Sequence, residues 1–400
     1  MQPLLFLVHR IPYPPNKGDK IRSFHLLKYL TKRYQVYLGA FVDDPADWSY
    51  VKNLSSICTE VNFTSLNSKS ATLKSLKGLV FGQPLTVPYY ANQSMQDWVD
   101  KVVTVHDIKY VLIFSAAMAQ YVLSKRFDQL RRVIDFVDVD SDKWQQYQRK
   151  KMWPLSIIYK REAKRLLEYE ISVAKKFEAS LFVSSAEAEL FKKLAPSVAV
   201  KVDYFNNGVD AKYFSPALDY KNPFTPEQRV VVFTGAMDYW ANVDAVSWFA
   251  EEVFPIIRSQ VPDAVFYIVG SRPSSQVKRL GKLSGVVVTG TVEDVRPYLK
   301  FSRIVVAPLR IARGVQNKVL EAMAMDKLLL ATNSAIEGIE PWDGFKCSVF
   351  DESEEMAKQA ILLLNNPSYN AGKFNSRAWV MEHYSWEINL ERVNKLIATH

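Results

Sequence analysis

The sequence predicts an α/β protein built from two doubly wound domains facing a cleft. Three observations carry this. Short apolar, β-branched runs alternate with longer amphipathic runs, as βαβ units around a parallel sheet require. The same alternation restarts after Pro216. The chain has 400 residues, which suits two cores of roughly 200 residues each better than one.

In the first half, strands are expected at 4–8, 35–41, 110–114, 132–137 and 179–183, with helices at 20–32 and 186–194. In the second half, strands are expected at 229–234, 264–269, 286–289, 303–307 and 328–331, with helices at 243–258, 318–325 and 354–364. The stretch 215–227 holds Pro216, Pro223 and Pro226 among polar residues and is the linker candidate. This divides the chain into 1–215, 216–385 and a final helix, 386–400, expected to cross back to the N-terminal domain.

Composition narrows the function classes. A net charge of +9 favours anionic partners such as nucleotide phosphates or acidic lipid, the alternative being a solvated basic surface. No nucleic-acid-binding module is visible. The two cysteines, Cys58 and Cys347, fall in different halves, which argues against a disulfide framework and for a reducing, cytoplasmic setting. The five histidines include no i, i+4 pair, so no metal site is expected. Leu4–Val8 is too short for a signal-peptide core and reads as a first buried strand. No stretch approaches the ~20 apolar residues of a membrane span.

Open α/β sheets bind ligands at the carboxyl ends of their strands, so the residues just after each strand matter most. After the first strand, Gly18 precedes a helix near Lys20, with Lys17 and Arg22 adding charge. A helix N-terminus there favours an anion; the alternative is a plain β–α turn with its basic residues in water. Asn207-Gly208 is a turn pair, and Gly235 follows the strand at 229–234. Gly290, Thr291 and Val292 follow a strand, where backbone groups suit a base edge and Val292 its ring; Asp294 either joins them or caps the next helix.

The most informative segment is 307–325. A strand ends near Ala307, a loop with Arg310, Arg313 and Gly314 follows, and a helix starts near Asn317 with Lys318 in its first turn. A cation there opposes the helix dipole, and an anion held by Lys318, the arginines and free N–H groups would offset that cost. Glu321 suits two hydroxyls of a ribose; its alternative is to complement the dipole.

The order of these segments resembles the retaining GT-B glycosyltransferases of glycosyltransferase family 4. NNGVD at 206–210, FTGAM at 233–237, VTGTVEDV at 288–295 and NKVLEAMAM at 317–325 carry the resemblance. PYPPNKGDKIRSFHLLKYL near the N-terminus and VIDFVDVDSDKW at 133–144 are similar to bacterial sugar transferases of exopolysaccharide and exosortase loci.

The resemblance implies two Rossmann-like domains, a nucleoside-diphosphate sugar as donor, a glycan or lipid-linked acceptor on the N-terminal domain, retention, and no metal or cofactor. By position, Glu321 matches the second glutamate of the family's Glu-x7-Glu motif, which holds the ribose. Gly314, Val315, Gln316 and Asn317 match the loop at the diphosphate and sugar, Gly290 to Val292 the base contact, and Gly18 the N-terminal glycine loop.

Two departures stand out. Arg313 occupies the position of the first motif glutamate, and Ala236 and Ala241 fall where members carry Arg and Lys. Charge for the diphosphate must then come from Arg310, Arg313, Lys318 or Lys20. Asp138 or Asp140, just after the strand at 132–137, is the candidate to orient the acceptor or take its proton, with helix capping as the alternative. The basic stretch 143–176, with Trp144, Trp153, Ile157 and Ile158 interleaved, suits the inner face of an acidic membrane or else an ordinary core-facing helix. A nucleotide-sugar 2-epimerase and a non-catalytic sugar- or nucleotide-binding protein are the competing readings.

Overall fold

A computed structural model describes residues 1–15, 18–150, 155–312, 314–343, 348–366 and 375–398. The chain forms two compact units, residues 1–206 with 389–400, and residues 207–388.

The first unit holds a seven-stranded, wholly parallel sheet of order β3-β2-β1-β4-β5-β6-β7. Its strands are β1 (Gln2–Val8), β2 (Tyr34–Val42), β3 (Glu60–Ser65), β4 (Tyr110–Phe114), β5 (Arg131–Val137), β6 (Ala179–Phe182) and β7 (Val202–Tyr204). The central runs are apolar because helices cover both faces. Leu4 to Val8 and Val111 to Phe114 are fully buried. β3 and β7 are not expected from the sequence. They are edge strands, one only half-buried and the other three residues long, so neither carries a continuous apolar run.

The second unit holds a five-stranded parallel sheet of order β10-β9-β8-β11-β12. Its strands are β8 (Arg229–Thr234), β9 (Ala264–Val269), β10 (Val286–Gly290), β11 (Ile304–Ala307) and β12 (Leu328–Ala331). All five expected strands are present within one residue at each end.

Two expectations change. The helix expected at 243–258 is three segments: Trp240–Trp248, a π-helical turn at Phe249–Val253, and Phe254–Gln260. Pro255 lacks the N–H that would continue the α-helical ladder, and the wider turn absorbs the break. The chain passes between units at 206/207, ahead of the proline-rich stretch. That stretch packs on the second unit: Phe224 joins its core, and Lys300 Nζ donates to the Leu218 carbonyl at 2.6 Å. Prolines here shape a packed segment and do not mark a free linker.

Candidate functional site

In the second unit, the chain runs outward from β8 through β9 to β10, then returns to place β11 on the other side of β8. The strand order reverses between β8 and β11, and in open sheets of this kind the crevice at that reversal receives ligands. The loops after Thr234 and Ala307 rise there.

Small residues bring the strand ends together. Gly235 donates its N–H to the Val269 carbonyl at 3.1 Å, and Gly270 donates to the Gly290 carbonyl at 3.2 Å. Gly270 has φ 156°, and a Cβ there would lie 1.7 Å from the Gly235 oxygen. No side chain fits at 270. Gly290 (φ 72°) faces open space, and the exposed Thr291 and half-buried Val292 follow it. Asp294 accepts from the Arg296 N–H at 2.9 Å and grips its guanidinium, one residue ahead of Val295, the N-cap of the helix Arg296–Phe301, which makes no side-chain cap bond.

The helix Asn317–Ala324 begins at Gln316, whose backbone is extended and whose side chain makes no cap bond. The Gln316 amide donates instead to the Gly314 carbonyl at 3.2 Å. The Val315 side chain is buried in the core, so that residue offers a ligand only its backbone. Asn317 Oδ1 accepts from Asn207 Nδ2 at 3.4 Å, which ties the turn pair at 207–208 to the helix start.

Lys318 points inward. Its Nζ donates to Asn242 Oδ1 at 2.9 Å and lies 5.1 Å from the Phe233 ring centre. Burial pulls its pKa down to about 8, against the pull of Glu321. Burial pushes Glu321 up to about 7, opposed by Lys318. Asn242 is 5% exposed, and its Nδ2 donates to the Ala236 carbonyl at 2.9 Å. One amide thus joins the loop after β8 to the helix after β11. A Cβ at 235 would lie 2.8 Å from that Nδ2.

The sequence singles out neither Asn242 nor Gly338. Gly338 packs on the loop at 314–315: a Cβ there would meet the Gly314 carbonyl carbon at 2.1 Å and the Val315 nitrogen at 2.4 Å. Both residues lie far in sequence from what they hold, so local pattern carries no signal for them.

Arg310 is exposed and grips Asp244 with two bonds of 3.0 and 2.6 Å. That carboxylate engages the guanidinium through Nε and Nη2. Arg313 and Lys17 lie outside the described residues.

In the first unit, the order reverses between β1 and β4. Gly18 opens the helix Gly18–Leu30, and a Cβ added there would have no neighbouring atom within 4 Å. Two cations expected to face a ligand turn inward. Lys20 is 3% exposed and pairs with Asp47 at 2.6 Å, while Arg22 is fully buried against Asp135. Arg22 and Lys20 lie on helix faces that pack on the sheet and on the turn at 45–50, so their charge is met by protein. At the strand end itself, Asp19 receives Arg10 at 2.7 Å and lies 3.5 Å from His9 Nε2. Burial opposes its ionisation, but the His9 hydrogen bond and the Arg10 charge outweigh it and hold the carboxyl well below the usual range.

Asp138 and Asp140 follow β5, where Val137 adopts φ 73°. Both carboxylates hold the Lys143 ammonium, at 2.7 and 3.1 Å. Asp140 also opens the helix Asp140–Lys150. The helix Leu155–Lys176 turns Leu166, Val173 and Ala174 into the core, and exposes Ile157 and Ile158 only near its start.

A family model described as Glycosyl transferases group 1 matches residues 228–366, the segment that carries this crevice. No curated protein matches. Among solved structures, a glycosyltransferase from Rickettsia africae superposes with TM-score 0.66 at 15% identity, covering 100% of this chain and 99% of that one. Anabaena HepE, in complex with UDP and glucose, gives 0.64 at 16%, covering both chains fully (100% each). A putative UDP-N-acetylglucosamine 2-epimerase from Listeria monocytogenes gives 0.57 at 12%, covering 100% and 96%. The fold is that of the GT-B glycosyltransferases, and residues 228–366 carry the match to the Glycosyl transferases group 1 family.

Proposed function

We propose that this chain is a retaining, metal-independent glycosyltransferase of the hexosyl-transferring type. It moves a sugar from a nucleoside-diphosphate donor to a glycan or lipid-linked acceptor in bacterial exopolysaccharide synthesis, at the cytoplasmic face of the membrane. The observation that carries the reading is the crevice between β8 and β11. There an uncapped helix start, a half-buried ammonium and a carboxylate with a raised pKa stand together on the segment that matches group 1 glycosyl transferases.

In this reading Glu321 accepts from the ribose hydroxyls, and Gly290 to Val292 meet the base. The N–H groups at 314–317 and Lys318 face the diphosphate. When the anomeric C–O bond breaks, its electron pair goes to the diphosphate, whose new charge those preorganised donors stabilise. The acceptor oxygen bonds to the same face of the sugar. Its proton passes to Asp138 or Asp140, or to the departing phosphate.

Thermal-shift titration across nucleotides and nucleotide-sugars tests the donor assignment, because a ligand of the folded state raises its stability. At least one nucleoside diphosphate should raise the melting temperature, and Glu321→Ala should weaken it by tenfold or more. Unchanged affinity in Glu321→Ala would remove the donor site from this crevice. The epimerase reading has the Listeria superposition behind it. Incubating donor alone separates the two, since an epimerase converts it without acceptor.

A further inference from the structure

The loop after β8 leads to the only place among the described residues where two neighbouring aromatic side chains are both exposed: Tyr239 is 55% exposed and Trp240 43%. The loop that carries them is held from below. Met237 is fully buried, its N–H donates to the Ser271 carbonyl at 2.8 Å, and its carbonyl accepts from the Ser274 N–H at 3.2 Å. The Tyr239 carbonyl accepts from the Asn242 N–H at 3.0 Å. A segment fixed at so many points leaves an arriving ligand little to order. The two rings stand 6.3 Å apart, tilted by 58°, and so make a corner and not a flat stack.

Two ion pairs border this corner. Arg272 lies 3.7 Å from Asp238, the residue before Tyr239. On the other side, Trp240, Asp244 and Trp248 follow one another at intervals of four along one face of the helix Trp240–Trp248. Arg310 pairs with Asp244 at 2.6 Å and lies 5.9 Å from the Trp248 ring centre. The loop after β11 is thereby pinned to that face, with the exposed Ile311 next in the chain. The border carries two carboxylates and two guanidinium groups, partly exposed, whose charges cancel in pairs.

We propose that Tyr239 and Trp240 form a saccharide-binding corner that receives a neutral hexopyranose ring of the acceptor. Such a ring has an apolar face of C–H groups and a rim of hydroxyls. The C–H groups, weakly positive, pack on the negative faces of the aromatic rings. The hydroxyls donate and accept, so they suit a carboxylate and a guanidinium side by side. A border whose charges are paired offers an anionic lipid no net charge to meet. The inference rests on the glycosyltransferase reading for what the ring belongs to, and it adds a saccharide contact on the unit that carries the donor crevice. The ring is not the donor's own. Asn242, which holds Lys318, is 5% exposed and leaves the helix about 200° round from Trp240. The ammonium assigned to the diphosphate and the aromatic corner therefore lie on opposite sides of that helix.

Saturation-transfer NMR on the full chain tests it, with the methyl glycosides of glucose, galactose, mannose and N-acetylglucosamine, and with maltose and cellobiose, as probes. At least one should bind, and Tyr239→Ala/Trp240→Ala should weaken it by tenfold or more. Trp240→Phe keeps an aromatic face and should retain most of the affinity. Both side chains are exposed, so an unchanged melting temperature establishes that the variants fold. The thermal shift given by a nucleoside diphosphate, and the extra shift given by the corresponding nucleotide-sugar, should be the same in the double variant as in the wild type.

Absence of binding by every probe overturns the proposal, and so does undiminished binding in the double variant. Loss of the nucleotide-sugar's extra shift in that variant overturns it too, because the corner would then hold the donor's sugar. So does a self-association abolished by the variant without any saccharide binding. Probe binding that the double variant loses, in a chain that no nucleotide stabilises, supports the corner and counts against the donor reading alone.

Discussion

Lys318 stands where a helix dipole disfavours a cation, in the first turn of Asn317–Ala324, at a cost of about 0.3–1 kcal/mol. It is tolerated because Asn242 accepts from its ammonium and the Phe233 face lies below it. With alanine at 236 and 241, the proposed reading gives this ammonium the task of meeting the diphosphate.

The consequence can be read in a pH profile. Burial pulls the Lys318 pKa down to about 8 and pushes that of Glu321 up to about 7. An anion binds the protonated lysine, so affinity for a nucleotide-sugar should fall as pH rises past about 8, by up to about tenfold per pH unit. Acceptance from ribose hydroxyls favours the carboxylate, so affinity should also fall, more gently, below about 7. Calorimetry across this range should give a narrow optimum between the two. Lys318→Met should abolish the alkaline limb. Asn242→Leu removes an acceptor of the charged form, and so should move that limb to lower pH; a purely structural role for Asn242 would leave its position unchanged.

At the scale of elements, the Arg22–Asp135 pair decides how the helix Gly18–Leu30 sits. Arg22 spans to β5 with bonds of 2.7 and 3.2 Å, donates to the Phe205 and Phe182 carbonyls, and stacks 3.5 Å from the Phe205 ring centre. Removing one member of a buried pair strands the other charge, so Arg22→Met should lower unfolding free energy by about 3–5 kcal/mol in urea titration. Adding Asp135→Leu should recover part of the loss, but not all, because the Phe205 carbonyl and the Val137 N–H lose the partners these two side chains supply. Absence of any recovery would mean the stranded carboxylate is not the cause.

This pair also marks the limit of what sequence shows. The strands of the second unit are legible because each is a continuous apolar run between breakers. The glycine at 235 is legible because it follows a strand, that at 290 because it closes one, and that at 314 because it lies in the loop ahead of a helix. Lys20 and Arg22 look like ligand cations in sequence, since a charge carries no sign of the distant carboxylate that buries it. Asp47 is 27 residues and Asp135 is 113 residues from its partner. Asn242 and Gly338 escape notice for the same reason: their work is done across the sheet, on residues 76 and 24 positions away.

At the scale of the whole molecule, the chain ends in the unit where it began. Residues 389–400 group with 1–206, although the helix that carries them, Trp386–Ala398, starts in the other unit. Leu390, Val393 and Ile397 are each 1% exposed. The Tyr34 hydroxyl bonds to Asn394 at 2.9 Å, Arg131 donates to the Leu396 carbonyl at 2.9 and 3.1 Å, and Arg392 meets Asp203 at 2.8 Å. These contacts reach β2, β5 and β7, so the last helix staples strands that are not sequential neighbours. Three fully buried aliphatic side chains are worth about 1.5–3 kcal/mol each as an upper estimate. Ending the chain after Ile388 should therefore destabilise the first unit by several kcal/mol and leave the second sheet, which makes none of these contacts, as it was. Hydrogen exchange resolves the two by location. Amides of β1, β2, β5 and β7 should exchange faster in the truncated chain, while those of β8, β9 and β11 keep their protection. Equal loss in both sheets would show that the helix stabilises the molecule as one cooperative body and not the first unit alone.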